Sequence, residues 1–165
     1  MTDAKEEVLL RRAVDCRVSR ISPADTNKFA MLVDPLIDRT PFVSAVEIFE
    51  VGGKTPPHFH ATAHEMFYVL SGTGCCRCDD GSVHKIARGD ALVLPPGREH
   101  VIENTGSERL YCLTVMVPNE GFAEMIRNGQ PMALDRSDRT VIAGPPVPRE
   151  SPRPSPSGSS PARPV

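Results

Sequence analysis

No segment of this chain gathers lysines and arginines into a cluster, and 19 Lys+Arg against 21 Asp+Glu leave a formal net charge of −2. A surface that tracks phosphates needs a concentrated positive field, so nucleic acid is not an expected partner. A small, uncharged or anionic metabolite fits this balance. Long apolar runs are missing too. Nothing approaches the roughly 20 residues that cross a bilayer, so no membrane partner is expected. The start, MTDAKEEVLLRR, is acidic early and has only Val8, Leu9 and Leu10 as a contiguous apolar stretch, which is too short for the apolar part of an export signal. The expected location is the cytoplasm.

Cysteine is present in a number and pattern that disfavour a disulfide framework. The five residues Cys16, Cys75, Cys76, Cys78 and Cys112 are odd in count and accompany no export signal, so reduced thiols are expected. Cys75 and Cys78 form one CxxC with no second CxxC or CxxH to complete a zinc ribbon. On a strand, Cys76 and Cys78 share one face and Cys75 takes the other, where all three serve as small packing residues. Internal repeats are also absent, which favours one barrel over two.

The 165 residues suit one compact domain with an appended tail. Residues 5–14 could start a short helix, and Cys16 to Ile21 and Phe29 to Val33 read as strands around a Ser-Pro-Ala-Asp-Thr-Asn loop. FVSAVEIFEV, from Phe42 to Val51, is rich in branched and aromatic residues and suits a pleated surface. Short strands then alternate with glycine turns: Glu65 to Leu70, Cys75 to Asp79, Val83 to Ile86, Ala91 to Leu94, His100 to Glu103 and Leu110 to Val117. That count predicts an all-β jelly-roll or similar closed barrel. Phe122, Met125 and Ile126 have helical spacing before Asn128-Gly129, which predicts a single short C-terminal helix. The organisation expected is an N-terminal extension with edge strands over 1–39, a barrel core over 40–118, a helix and return segment over 119–143, and a disordered Pro/Ser-rich tail over 144–165.

His58 and His60 flank Phe59 on an extended segment, so both imidazoles project to one side. Glu65 opens the next apolar run, and His100 follows a Pro-Pro-Gly turn. Three imidazoles and a carboxylate converging from different strands make a mixed nitrogen and oxygen site suited to divalent iron, manganese, nickel, copper or zinc. His64 should point away from Glu65, and His84 lies in a short hairpin, so both are expected at the surface.

The spacing of these residues resembles the two cupin motifs. Gly52, five residues, His58, one residue, His60, four residues, Glu65, six residues and Gly72 are similar to the first motif in full. Gly89, five residues, Pro95, one residue, Gly97, two residues, His100, three residues and Asn104 are similar to the second at every fixed position. The resemblance covers roughly residues 40–117 and implies a small single-domain metal-binding cupin, a double-stranded β-helix with one metal ion in its mouth. It implies His58, His60, Glu65 and His100 as ligands, Asn104 as a strand end, and a homodimer whose contacts cover exposed barrel edges. The 16 residues between Gly72 and Gly89 leave room for a short hairpin, as in the compact microbial members.

Four protein ligands leave one or two positions for water, oxygen or substrate. The first expectation is a mononuclear iron(II)-type oxygenase or dioxygenase. The second is an isomerase, cyclase or lyase in which the ion polarises a carbonyl and Glu65 or another residue moves a proton. The third is a non-catalytic ligand-binding module. Arg98 shares parity with His100 and is a candidate contact for a substrate carboxylate, against the alternative of a turn arginine in solvent. Phe67 and Val69 share parity with Glu65 and are expected to line an apolar inner wall. Tyr68, Tyr111 and Glu47 are weaker candidates, since their strand register is open.

Overall fold

The structure, a computed structural model, describes residues 8–144. The tail expected beyond Gly144 and residues 1–7 of the N-terminal extension lie outside the described residues. Among the described residues, ten strands form two antiparallel sheets. They are β1 (Val18–Arg20), β2 (Asn27–Val33), β3 (Val43–Phe49), β4 (His64–Ser71), β5 (Thr73–Cys78), β6 (Val83–Ala87), β7 (Ala91–Leu94), β8 (His100–Glu103), β9 (Leu110–Val117) and β10 (Gln130–Pro131). The larger sheet runs β10-β1-β2-β3-β9-β4-β7 and the smaller β6-β5-β8. This is the expected jelly roll, with most strand ends within two residues of those read from the turns.

Inward alternation explains the main core. Phe67 and Val69 of β4, Cys76 of β5, Leu94 of β7, Ile102 of β8 and Leu110 and Cys112 of β9 meet Phe49 and Ile86 between the sheets. β3 departs from alternation, since all seven of its residues are buried. Its inner face packs in the barrel, while its outer residues Val46 and Ile48 are covered together with Val18, Tyr111 and Leu134. A strand covered on both faces reads as a continuous apolar run, which is what FVSAVEIFEV is.

The segments flanking the barrel supply that cover, and they differ from the expected single helix. Residues 8–12 form no helix; a single 3-10 turn, Ala13–Asp15, stands there instead. Three α-helices occur among the described residues rather than one: α1 (Pro35–Asp38), α2 (Phe122–Asn128) and α3 (Arg136–Ala143). α2 is the helix expected from Phe122, Met125 and Ile126. α3 begins on a capping box between Asp135 and Asp138. Its Asp138, fully buried, accepts hydrogen bonds from Lys28 Nζ at 2.6 Å and from the Tyr111 hydroxyl at 3.0 Å. Removing one partner of such a buried ion pair costs about 3–5 kcal/mol, so this contact fixes the helix against the outer face of β2 and β9.

A second buried polar group lies inside the barrel. Glu47 of β3, 2% exposed, accepts hydrogen bonds from Asn27 Nδ2 and, at 3.5 Å, from Thr114 Oγ1. Burial, reinforced by the negative charge of Glu65, pushes its pKa up to about 8 against those two hydrogen bonds. The folded chain therefore keeps a proton on Glu47 through a pH range in which the unfolded chain, with an ordinary value of about 4.3, has lost it. Stability from this group is complete below the unfolded pKa and is lost as pH rises through the folded one. Urea denaturation of chelator-treated protein from about pH 5 to pH 8 is expected to show wild type losing up to about 1.4 kcal/mol per pH unit relative to Glu47→Gln. Parallel profiles for the two proteins would refute the protonated state.

Candidate metal centre

Backbone pairing brings the histidines together. The His58 N–H donates to His100 O at 3.2 Å and the His100 N–H donates to His58 O at 2.9 Å, an isolated antiparallel bridge outside the ladders. Opposed residues of such a pair present side chains to the same face, and the two imidazole centroids lie 4.3 Å apart. His60 is held one step further along, where its carbonyl accepts the Gly97 N–H at 2.7 Å. Gly97 sits at φ +77 in the turn after Pro95, a backbone state that disfavours a side chain. Glu65 is the second residue of β4 and faces inward between its register partners Leu94 and Met116. One ligand-type atom from each of His58, His60, Glu65 and His100 lies within 4.8 Å of the others.

Hydrogen bonds orient this cluster. His58 Nδ1 lies 2.9 Å from Pro56 O and His100 Nδ1 lies 3.0 Å from Arg98 O. A carbonyl can only accept, so each Nδ1 carries the proton and each Nε2 offers a lone pair. His100 Nε2 is buried without a hydrogen-bond partner, although Glu65 Oε2 stands 3.3 Å away. An orphaned, correctly oriented lone pair beside a carboxylate fits a cation at the centre of the four residues. Burial lowers the pKa of His58, which favours the neutral, ligating imidazole. The Glu65 carboxylate, 2.9 Å from His60 Nε2, raises that of His60. Burial pushes Glu65 upward, but its contacts with His100 and His60 outweigh that and leave it below the ordinary carboxylate range.

The loop between His60 and Glu65 is fastened from outside. Glu120, at φ +46, accepts hydrogen bonds from the backbone N–H groups of Ala61, Thr62 and Ala63 and from the Thr62 hydroxyl. Three consecutive amides on one carboxylate set the curvature of the loop, and through Glu120 they join it to the start of α2. This residue was not evident from sequence, because nothing in the loop's composition signals a partner some 58 positions away.

A cavity of about 350 Å³ opens beside the cluster. His58, His60 and Glu65 form one side of its wall, and Phe29, Glu47, Phe67, Phe122 and Met125 contribute to the remainder. Phe67 is thus where its parity placed it. Arg98 is not: its guanidinium pairs with Asp79 at 2.8 Å and Asp80 at 3.1 Å, in solvent at the hairpin between β5 and β6. Tyr111 is not either. It pairs with Ile48 in register and points to the outer face of the sheet, toward Asp138. His64 and His84 are exposed. Cys76 and Cys78 share a face with their sulfurs 3.9 Å apart, and Cys75 turns to the other, toward Glu103. Asn104 is buried, donates to the carbonyls of Glu50 and Glu108 at 2.9 Å, and accepts from the Gly106 N–H, so it closes a turn and ligates nothing.

Comparison with known proteins agrees with this fold. The family model described as "Cupin domain" matches residues 45–116. An uncharacterized protein of Methanocaldococcus jannaschii is 36% identical over 74 residues, which are 45% of this chain and 58% of that protein. The chain spans about half the length of the curated relatives it matches. Among solved structures, a predicted oxalate decarboxylase from Thermotoga maritima superposes with a TM-score of 0.60 at 25% identity, covering 67% of this chain and 99% of its own. A sugar phosphate isomerase of the cupin superfamily from Silicibacter pomeroyi gives a TM-score of 0.52 at 22% identity, covering 61% and 69%. The barrel described above, over residues 45–116 of this chain, is a cupin domain.

Proposed function

We propose that this chain is a metal-dependent cupin that acts on a small molecule in the barrel mouth, with His58, His60, Glu65 and His100 holding one divalent transition metal ion. The observation that carries this reading is the buried, unpartnered Nε2 of His100 aimed among three other ligand-type groups beside a cavity. Three imidazoles and one carboxylate suit iron, manganese, nickel, copper or zinc. Such an ion supplies a Lewis-acidic centre with positions left for exogenous ligands. The Glu65 carboxylate offsets part of its charge. Phe29, Phe67 and Phe122 give the adjoining space an apolar wall, and polar interactions made against such a wall are stronger than in bulk water.

The first reaction class is a mononuclear iron(II)-type oxygenase, for which an aromatic wall beside the ligands is suitable. An isomerase, cyclase or lyase is the second reading, and Glu47 favours it. A carboxyl that keeps its proton near neutral pH and lines the same cavity has the properties of a general acid. Likeness in fold to a predicted oxalate decarboxylase and a sugar phosphate isomerase supports action on a small oxygen-bearing molecule, while the charge of that molecule follows from this chain's own cavity and not from theirs. The free state of all five cysteines supports a reducing, cytoplasmic setting, and no described helix is long and apolar enough to cross a membrane.

Elemental analysis is expected to find about one transition metal ion per chain, with His58→Ala and His100→Ala losing most of it, since loss of a group that merely supports a ligand already costs about 10–100-fold in affinity and loss of the ligand costs more. Unchanged metal content in both variants would remove the assignment. Oxygen uptake with iron bound selects the oxygenase, turnover under nitrogen selects the isomerase or lyase, and tight ligand binding without turnover selects a module.

The reading includes a homodimer. Met66 and Tyr68 of β4, Val93 of β7 and Leu113 and Val115 of β9 are neighbours in register on the outer face of the sheet and keep part of their surface in solvent. β7 is the free edge beside them. Light scattering is expected to give twice the chain mass for wild type and the chain mass for Tyr68→Glu. A monomeric wild type at micromolar concentration would contradict it.

A further inference from the structure

The cavity beside the four-residue cluster has a charge pattern that restricts what enters it. Among the described residues no lysine or arginine lines it, whereas Asp25, Glu47 and Glu65 do. Two arginines that precede strands of the barrel, Arg98 before β8 and Arg109 before β9, are engaged elsewhere. Arg98 is held by Asp79 and Asp80, and Arg109 by Glu50, Asp135 and Asp138. Asp25 is itself tied into the wall, accepting the Ser22 N–H at 2.7 Å. A divalent ion set against the Glu65 and Asp25 carboxylates leaves no net positive charge, and an ionised Glu47 would make the wall negative. A dicarboxylate or phosphate ester entering this space would give up its hydration without the guanidinium fork that repays it.

Shape and polarity point the same way. The volume of about 350 Å³ sits at the small end for ligand pockets. Phe29 and Phe122 meet edge to face at 5.4 Å between centroids, and with Phe67 and Met125 they offer an apolar bed. Glu47 is the polar group set into that bed away from the cluster. It stands on β3, separated from Glu65 on β4 by the intervening β9, and Asn27 and Thr114 fix its head. Two hydrogen bonds to a carboxyl leave it further capacity for an oxygen or N–H of a ligand. Its register partners Phe29 and Cys112 are apolar, so the polar contacts of its head are confined to Asn27 and Thr114.

We propose that the cavity selects an electrically neutral small molecule with an apolar body and oxygen donors at one end, and that Glu47, positioned by Asn27 and Thr114, binds its other polar group. This rests on the metal-site reading above and narrows the substrate to a class: neutral, oxygen-bearing and partly apolar, not a dicarboxylate or a phosphate ester. Selection comes from the cost of bringing an unpaired dianion into the apolar wall, and binding at Glu47 from a buried hydrogen bond that a purely apolar ligand would leave unmade.

The protein is first loaded with Co2+, and bound cobalt is counted per chain. It is then titrated calorimetrically at neutral pH with maltol, oxalate and glycerol phosphate, in two buffers of different ionisation enthalpy so that any proton maltol gives up is counted, and with bound cobalt recounted afterwards; release of a proton on maltol binding overturns selection of the neutral form. Maltol is expected to bind at least about tenfold more tightly than either anion, a difference of about 1.4 kcal/mol. Glu47→Ala is expected to weaken maltol about tenfold with cobalt content unchanged, while Glu47→Gln, which keeps a neutral hydrogen-bonding head, stays within about threefold. Oxalate or glycerol phosphate binding as tightly as maltol overturns the selection, and maltol affinity indifferent to Glu47→Ala overturns the role of that residue. A chain that takes up no cobalt fails at the counting step, which overturns the metal reading and this inference with it.

Discussion

The site depends on one reciprocal pair of backbone hydrogen bonds, between His58 and His100. It is the point where the segment after β3 meets the start of β8, and so where the chain's two motifs become one surface. Because opposed residues in such a pair share a face, two imidazoles are delivered together without either side chain having to search for the other. The neighbouring bond from Gly97 to the His60 carbonyl adds the third imidazole, and the β4 register adds Glu65. The preorganisation of the cluster is thus a property of the backbone. Side chains refine it: carbonyls of Pro56 and Arg98 choose the tautomers, and Glu120 sets the loop that separates His60 from Glu65.

Two buried carboxyls show how the same fold treats polarity in opposite ways. Asp138, on the outer face, is matched by a lysine, an arginine and a tyrosine, and secures α3 against the sheet. Glu47, inside, has only an amide and a hydroxyl, so it keeps its proton to an unusually high pH and remains incompletely engaged. A saturated network stabilises, whereas an unsaturated one beside a cavity costs stability and retains capacity for a ligand. That difference separates a structural contact from a candidate functional one on physical grounds.

Much of this was legible in the residues. Strands from β3 to β9 could be placed because each is short, strand-forming and bounded by Gly, Pro or Asn turns, and α2 because Phe122, Met125 and Ile126 keep helical spacing. The ligand-type residues could be named because parity and turn position survive translation into three dimensions. What could not be read was everything that depends on partners distant in sequence. Tyr111 was a candidate contact until its pairing with Ile48 turned it outward, and Arg98 until two hairpin aspartates captured it. α3 was missed although Asp135 and Asp138 form its capping box, because an aspartate at the third helical position is a weaker signal than glutamate. Glu47 could be listed only weakly, since its inward direction rests on a register that sequence leaves open.

X-ray absorption at the metal edge of the loaded protein tests the convergence of these four side chains most directly. The expected spectrum has nitrogen and oxygen neighbours at about 2.0–2.2 Å with the outer-shell scattering of about three imidazoles. A spectrum dominated by sulfur at about 2.3 Å, as ligation by Cys76 and Cys78 would produce, or one lacking imidazole scattering, would contradict it.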